Sequence, residues 1–388
     1  MRIELPEPIC TPAPPDLSLP IAGAARAQVA AGEFQFARVL LSDGPSRNVE
    51  LLIIDSGTVR VAICPTRGMG LWKANIGGLP LGWNSPVHGP VHPNHVPLGE
   101  PSGIGWLDGF DELLVRCGLQ SFGAPDFNAA GQLQFPLHGR VANLPARNVY
   151  LELDADHSLL NVYGEVHETR FLQHNLRLQV QYTLAIGESQ IHIQDTVTNA
   201  AATPATMQLL YHINFGAPLL EAGATLHHSA QRVVARDAHA AAGLAEWATY
   251  RPPVAGFVEQ VYFTSNPAMT NGWTKALLAS RQGHRGAAVH YRPQELPYFS
   301  QWKNTVAEAD GYVTGLEPGT GFPNPRSFEE KQGRLVSLQP GEAKSFHLRL
   351  EALTTPPSVA KLKQEIDAHR SGPVATSDFD PQWCVAES

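Results

Sequence analysis

The sequence predicts an all-β protein, built as one large antiparallel β-sandwich with a few short helices and a C-terminal helix. The clearest support is the segment 176–186, in which apolar and polar residues alternate over eleven positions, as in a half-buried antiparallel strand. Shorter runs of the same kind recur along the chain. The 34 glycines and 32 prolines are spread between these runs, which is typical of strands joined by turns.

The strand candidates divide the chain into three parts. Residues 1–30 are rich in proline and alanine and are expected to form an extension packed on the domain. Residues 31–356 contain the strand candidates without an intervening linker, so a single sandwich domain is expected. Residues 357–388 begin with Val359, Leu362 and Ile366 at helical spacing, which predicts a C-terminal helix followed by a tail.

Within the domain, the alternating runs are separated by short turns. In chain order the strand candidates are 34–41, 48–54, 58–63, 176–186 and its partner 191–197, 258–264, 275–280, 286–291, 312–316, 335–338 and 345–350. The segment 72–110 is dense in Gly, Pro, Trp and His and has no period, so it is expected to wrap a site.

The composition excludes several classes of partner. The net charge is −8 and the basic residues are scattered, which argues against nucleic acid and anionic membranes. The four cysteines include no C-x-x-C pair and are expected to be free thiols in a reducing compartment. The N-terminus lacks signal-peptide features, and no stretch approaches the ~18 apolar residues of a membrane span. A cytoplasmic protein is therefore expected.

Glu317 is the first candidate for chemistry. The alternating run 312–316 leads to this carboxylate, and Pro318 and Gly319 are expected to end the strand there. Strand ends and their loops often carry catalytic groups. Alternatively, Glu317 only caps a turn.

Two histidines are candidates because of their neighbours. His212 lies in an apolar strand, and the following Asn214 and Gly216 suggest that this strand stops at a polar cleft. His138 precedes Gly139 in a turn, where its nitrogens can reach a ligand. The alternatives are a hydrogen-bonded core histidine and a surface turn histidine.

Arg116 emerges from an apolar run, and its guanidinium can fork onto oxygen atoms of a ligand. The alternative is a salt bridge to Asp111 or Glu112.

A possible metal site lies in the long loop. Three imidazoles and a carboxylate within thirteen residues can hold a divalent ion; they belong to His88, His92, His95 and Glu100. Their spacing matches no common ligand pattern, and the alternative is a polar loop rimming a cleft. The chain also contains no P-loop, G-x-S-x-G or H-E-x-x-H motif. No metal or other cofactor is expected.

Motifs spread over roughly 250 residues resemble, in order, those of the aldose 1-epimerase (galactose mutarotase) superfamily. They are Gly68-Met69-Gly70-Leu71-Trp72-Lys73 with Leu81-Gly82-Trp83-Asn84-Ser85, Arg116-Cys117-Gly118-Leu119 with Phe122-Gly123, His138-Gly139, His212 with Asn214-Phe215, Pro297-Tyr298-Phe299-Ser300-Gln301-Trp302 and Leu316-Glu317-Pro318. The resemblance implies the galactose mutarotase-like supersandwich fold and places the chain in an uncharacterised branch.

The resemblance also implies roles for these residues. Glu317 is expected to be the base and His212 the acid, on opposite sides of a sugar ring that opens and closes to exchange anomers. His138 is expected near the ring oxygen, Arg116 on a hydroxyl, and Glu259 in place of the family's aspartate. Further expected substrate contacts are Arg67, Asn214, Gln301 and Trp302. Candidates for stacking on the sugar are Trp72, Trp83, Trp106 and Trp302.

The predicted function is thus an aldose 1-epimerase-like isomerase, a monomer or homodimer with a small-molecule sugar as its partner. Few basic residues fall near the expected cleft, which favours a neutral sugar. One alternative is a non-catalytic sugar-binding protein on the same fold. The other is a metal-assisted sugar isomerase that uses the four residues of the long loop.

Overall fold

The computed structural model describes residues 1–265, 271–370 and 372–386. Strands account for most of the regular structure in this part of the chain. The strands of the first half are β1 (Arg2–Ile3), β2 (Ile9–Thr11), β3 (Ala25–Val29), β4 (Gly32–Leu41), β5 (Glu50–Asp55), β6 (Val59–Cys64), β7 (Gly70–Ile76), β8 (Leu79–Leu81), β9 (Leu114–Leu119), β10 (Asp126–Phe127), β11 (Leu133–Phe135), β12 (Arg147–Asp154), β13 (Leu159–Arg170) and β14 (His174–Ala185).

The second half continues the strand pattern and adds short α-helices. The strands are β15 (Gln190–Asn199), β16 (Ala205–Phe215), β17 (Thr225–His228), β18 (Arg232–Ala235), β19 (Gln260–Ser265), β20 (Thr274–Ala279), β21 (Gly286–Tyr291), β22 (Tyr298–Asn304), β23 (Val313–Gly319), β24 (Val336–Leu338), β25 (Ala343–Leu353) and β26 (Ala375–Ser377). The α-helices are α1 (Ala238–Ala242), α2 (Arg326–Lys331) and α3 (Pro356–Ala368). Single turns of 3-10 helix are Gly44–Ser46, Pro93–His95, Gly105–Gly109, Val141–Asn143, Leu244–Glu246 and Glu308–Asp310. Among the described residues, no helix is long and apolar enough to cross a bilayer.

Two large, mainly antiparallel sheets pack against each other. The first sheet has the order β1-β12-β13-β14-β15-β25-β21-β20-β17. The second has the order β2-β4-β5-β6-β7-β9-β16-β23-β22-β19-β18-β26, and β3, β8 and β24 pair additionally with β4, β7 and β16. Apolar side chains of both sheets form one shared core, to which Ile54 and Ile213 contribute from the second sheet and Leu178 and Leu350 from the first. The predicted all-β sandwich is confirmed.

The alternating segment behaves as predicted. β14 buries Leu176, Leu178 and Val180 and exposes Arg177 and Gln179. The expected partner strand follows as β15, antiparallel to β14. The C-terminal helix is also confirmed, since α3 buries the apolar positions Val359, Leu362 and Ile366.

Residues 1–30 form more regular structure than their composition suggested. β1 pairs with β12 in the first sheet, whereas β2 and β3 pair with β4 in the second. Strands this short carry too few residues to show a period, so the sequence pattern did not reveal them.

β23 does not end where the sequence suggested. The strand continues through Glu317 to Gly319, and Pro318 lies opposite Phe299 of β22. Pairing with β16 on the other side lapses between the Leu210–Gly319 and Ile213–Leu316 partners. Pro318 has no N–H to donate there, which accounts for the gap in the ladder. The expectation that Glu317 stands at a strand end is therefore wrong.

A buried ion pair joins the two sheets. Nε and Nη2 of Arg116 on β9 donate to Asp195 on β15, at 2.5 and 2.9 Å. The remaining guanidinium nitrogen donates to Met69 O (2.7 Å) and to the Tyr182 hydroxyl (2.9 Å). The Tyr211 hydroxyl also donates to Asp195, and both ionic side chains are fully buried. Arg116 therefore points into the sandwich core, and the expectation that it binds substrate is wrong.

This ion pair generates a stability prediction. Asp195→Ala leaves the Arg116 charge buried without its partner, and we expect a loss of about 3–5 kcal/mol in the free energy of unfolding. Urea denaturation measures it. The control is Arg26→Ala, which removes an exposed ion pair with Glu33 and should cost less than about 1 kcal/mol. A loss below about 1 kcal/mol for Asp195→Ala would contradict the role assigned to the pair.

Candidate active site

A cavity of about 300 Å³ lies on the face of the second sheet that is turned away from the sandwich core. Its aromatic lining residues are Trp106, Phe110 and Trp302, and its polar ones are His138, His212, Arg236, Glu259 and Glu317. A larger cleft of about 520 Å³ lies elsewhere, at Gly77 and 280–285, but its ionisable side chains, among them Glu221 and His284, are mostly exposed. The cavity of about 300 Å³ is the candidate active site because it combines an aromatic wall with a buried carboxyl and imidazole in contact, those of Glu317 and His212.

Three neighbouring strands supply the floor of this cavity. β16, β23 and β22 lie side by side in the second sheet. Because side chains alternate between the two faces of a strand, His212, Glu317 and Trp302 all project from the same face. Ile213 follows His212 and Leu316 precedes Glu317. These two residues are paired across the strands, and their side chains project from the opposite face into the sandwich core.

Glu317 and His212 form a buried pair. Oε1 of Glu317 lies 3.2 Å from Nε2 of His212, and both side chains are almost fully buried. The two residues stand in the segment where pairing between β16 and β23 lapses. A Cβ atom on Gly315 would lie 2.5 Å from Glu317 Oε1 and 2.9 Å from His212 Cε1. Glycine at this position is thus what leaves room for the pair.

Burial sets the protonation of the pair. It raises the pKa of Glu317 well above its ordinary value, and the charge of Glu259 adds to the effect. Burial also lowers the pKa of His212 to about 4. Both shifts favour the uncharged forms, with the proton on Glu317 and a neutral imidazole. This resting arrangement is the reverse of a carboxylate base beside an imidazolium acid. The two groups also stand side by side, not facing each other across a ring.

His138 adds a second imidazole to the cavity wall. Its ring lies 4.5 Å from the Trp106 ring and 5.3 Å from the His212 ring, measured between centroids. Burial, with a smaller contribution from His212, lowers the pKa of His138 well below its ordinary value, so this imidazole is neutral. Its Nδ1 is buried without a hydrogen-bond partner among the described residues. Such an atom is costly unless a ligand or water satisfies it.

An ionic group forms the rim of the cavity. Glu259 accepts hydrogen bonds from Nε1 of Trp302 (2.6 Å) and from Arg236 (3.0 Å). Arg236 also contacts Asp237 at 2.9 Å, so its charge is compensated. The structure thus brings Glu259 and Trp302 to the cavity, as expected. Arg236 was missed, although it directly follows the apolar strand β18, a position comparable to those used to select the other candidates.

The family model described as "Domain of unknown function (DUF4432)" matches residues 46–352. The chain belongs to the DUF4432 family. A crystal structure from Klebsiella pneumoniae, described as that of a candidate aldose 1-epimerase, is 34% identical to this family member. It has a TM-score of 0.86, and the match covers 89% of this chain and 91% of the other.

More distant structures share the fold. A galactose mutarotase-like protein from Clostridium acetobutylicum has a TM-score of 0.57 at 16% identity, covering 83% of this chain and 98% of its own. The Slr1438 protein from Synechocystis has a TM-score of 0.55 at 16% identity, covering 80% and 97%. No curated protein sequence matches the chain significantly. The resemblance to the galactose mutarotase-like proteins is confirmed for the fold of this DUF4432 protein.

Arg67 does not reach the cavity, contrary to expectation. Its side chain is fully buried and donates to Glu112 (2.5 Å), Asn143 (2.8 Å) and the carbonyl oxygen of Gly109 (2.9 Å). It therefore anchors the loop that carries Phe110, and its donors are used within the protein.

Gln301 is also placed elsewhere. It neighbours Trp302 on β22, so its side chain projects from the opposite face of the strand. There its amide donates to Trp247 O (3.0 Å) and to the Tyr250 hydroxyl (2.9 Å). The expected substrate contact of Gln301 is thus not supported by its position.

The four tryptophan candidates separate into two groups. Trp106 and Trp302 line the cavity. Trp83 lies beneath it, packed 4.9 Å from the Phe110 ring, and Trp72 belongs to a different apolar cluster. Phe110, whose ring lies 5.1 Å from that of His212, was not anticipated because nothing in the unperiodic loop distinguishes it.

The proposed metal ligands do not converge. Glu100 accepts hydrogen bonds from the backbone of Ser102 (3.0 Å) and Ile104 (2.8 Å), and His92 accepts one from Asn94 (3.2 Å). Within the described ranges, no three His, Cys, Asp or Glu side chains come together as a metal site. These residues shape the part of the loop that precedes the cavity-lining segment 104–110.

The pKa of His212 provides a direct test of this environment. We expect its imidazole to stay neutral to about pH 4, whereas an exposed histidine titrates near pH ~6.5. As the pH falls below ~6.5, His212 binds a proton in the unfolded chain before it does so in the folded protein. The contribution of neutral His212 to the free energy of unfolding is therefore fully present above pH ~6.5 and is lost as the pH falls towards 4. NMR titration measures the pKa, with His212→Asn for assignment. Exposed His157, whose pKa Asp154 raises, is the internal control. A His212 pKa at or above ~6.5 would contradict the assignment.

Proposed function

We propose that the protein is an aldose 1-epimerase-like enzyme that interconverts the anomers of a neutral sugar by general acid–base ring opening. The observation that carries the proposal is the buried Glu317–His212 pair on the floor of an aromatic cavity. The description of the Klebsiella relative as a candidate aldose 1-epimerase supports it.

Opening the sugar ring requires that one proton leave the anomeric hydroxyl and that another reach the ring oxygen. A base removes the proton of the anomeric hydroxyl while an acid protonates the ring oxygen, and the bond from the anomeric carbon to the ring oxygen breaks. Rotation of the resulting aldehyde and reversal of both transfers give the other anomer. Both oxygens are bonded to the same carbon, so two adjacent groups on one wall can serve them.

Glu317 and His212 fit this requirement as a unit. In the uncharged resting pair, Glu317 holds a proton that it can give, and Nε2 of His212 can accept one. After ring closure the pair again holds one exchangeable proton, so no outside proton donor is needed. His138 supplies a further polar contact through its unpartnered nitrogen.

The cavity favours a neutral monosaccharide. Its volume of about 300 Å³ is at the lower end of the range for small-ligand sites. The cation that lines it, Arg236, is already compensated by Asp237 and Glu259. A phosphate would therefore lack a free cationic partner there. Trp106 and Trp302 provide apolar surface for the C–H face of a sugar.

We also propose that the protein works in the cytoplasm. All four cysteines, Cys10, Cys64, Cys117 and Cys384, are free thiols. Free thiols are typical of a reducing compartment.

Anomer exchange followed by NMR on a panel of free sugars tests the function. The wild type should accelerate exchange of at least one neutral sugar, and Glu317→Gln should slow it by about 10²-fold or more, because the pair loses its exchangeable proton. Binding of the sugar should be nearly unchanged. Glu188→Gln, an exposed change between β14 and β15 on the other sheet, is the control and should keep the wild-type rate.

Two outcomes would overturn the proposal. A Glu317→Gln protein with the wild-type rate would remove Glu317 from the mechanism. If no sugar exchanges faster than in buffer but sugar resonances broaden on binding, the protein is a sugar-binding module and Glu317 is a ligand contact.

A further inference from the structure

Asn214 holds His212 in one orientation. Oδ1 of Asn214 lies 2.6 Å from Nδ1 of His212. The amide nitrogen donates to two backbone carbonyl oxygens, those of Glu112 (3.0 Å) and of His212 itself (3.2 Å). Because carbonyl oxygens only accept hydrogen bonds, these contacts place the amide NH₂ on their side and leave Oδ1 facing the imidazole.

This geometry identifies the protonated nitrogen of His212. An amide oxygen cannot donate, so a hydrogen bond at 2.6 Å requires the proton to be on Nδ1. With the proton on Nε2 instead, a lone pair of Nδ1 would face a lone pair of Asn214 Oδ1 at this short distance. Nε2 is therefore the nitrogen that can gain or lose a proton, and it faces Glu317.

A rigid platform supports Asn214 from behind. Its backbone N–H donates to Leu113 O at 2.6 Å, and the Glu112 carbonyl that holds its amide also accepts from Nε1 of Trp83 (3.2 Å). The side chain of Glu112 is held by Arg67 at 2.5 Å. Asn214 is itself fully buried. Arg67 and Glu112 thus act on the site through the backbone on which Asn214 rests.

We infer that Asn214 is a positioning residue that keeps the proton of neutral His212 on Nδ1 and reserves Nε2 for proton exchange with Glu317 and the sugar. The catalytic consequence rests on the proposed function, but the tautomer does not. Asn214 was expected to bind substrate, and its three polar contacts instead lie within the protein.

Other ionisable groups face His212 from several elements. Glu317 stands on β23, His138 lies in the turn after β11, and Cys117 lies on β9. The Arg236–Glu259 ion pair acts on Glu317 from the rim. His138 is neutral and the rim charges are paired, which leaves Glu317 as the group whose proton is coupled most closely to Nε2.

The test compares three variants by ¹⁵N NMR of the imidazole and by the pH profile of anomer exchange. Asn214→Ala removes the acceptor, whereas Asn214→Asp keeps an acceptor and adds a negative charge. Asn199→Ala is the matched control. Asn199 is also fully buried, and its amide donates to two backbone carbonyl oxygens, Thr203 O (2.8 Å) and Leu338 O (3.0 Å). Its side-chain oxygen, however, accepts from a backbone N–H and not from a histidine.

The wild type and Asn199→Ala should show His212 with its proton on Nδ1 alone. Asn214→Ala should show a mixture of tautomers and a loss of exchange rate that grows with the Nε2–H fraction, about 2-fold for an equal mixture, because the Nε2–H form cannot accept a proton. Asn214→Asp should keep the Nδ1–H form and raise the pKa of His212, moving the acid limb of the pH profile up by about 1–3 units.

A pure Nδ1–H tautomer in Asn214→Ala would overturn the inference, as would an equal loss of exchange in Asn199→Ala and Asn214→Ala without a tautomer change. If the wild type exchanges no sugar, the proposed function fails, and the NMR tautomers still decide the role of Asn214.

Discussion

The burial of Glu317 against His212 is the constraint on which the site depends. A carboxyl and an imidazole at 3.2 Å, removed from water, are most stable when neither carries a charge. Gly315 leaves the space for this contact, and Asn214 fixes the nitrogen that takes part in it. The lapse in strand pairing beside Pro318 falls at the same place.

The two faces of the second sheet have different roles. On the inner face, the Arg116–Asp195 ion pair and its tyrosine partners join this sheet to the other one. On the outer face, no cation among the described residues is in direct contact with Glu317 and His212. A fully paired charge suits a structural role, whereas an uncharged pair with a movable proton suits acid–base chemistry. Consecutive residues of one strand contribute to the two faces: Tyr211 contacts the ion pair, and His212 contacts Glu317.

The sequence predicted the sandwich because long alternating strands such as β14 show their exposed face directly. It also selected Glu317, His212, His138, Glu259 and Trp302, which the structure brings to one cavity. It failed for Arg116 and Gln301 because their strands are covered on both faces. In such strands the order of apolar and polar residues does not indicate on which face of the sheet a side chain lies. A shift of one residue moves every side chain to the opposite face. Arg67, Arg236 and Phe110 depend on tertiary contacts of loops and strand ends that no local pattern encodes.

The most direct test of a shared proton is a double-mutant cycle on anomer exchange with His212→Ala, Glu317→Gln and both changes together. Groups that act as a unit lose their effect together, so we expect the double variant to be no slower than the slower single variant, within about 3-fold. Losses that multiply would show that Glu317 and His212 contribute independently, and would contradict a pair that works through one exchangeable proton.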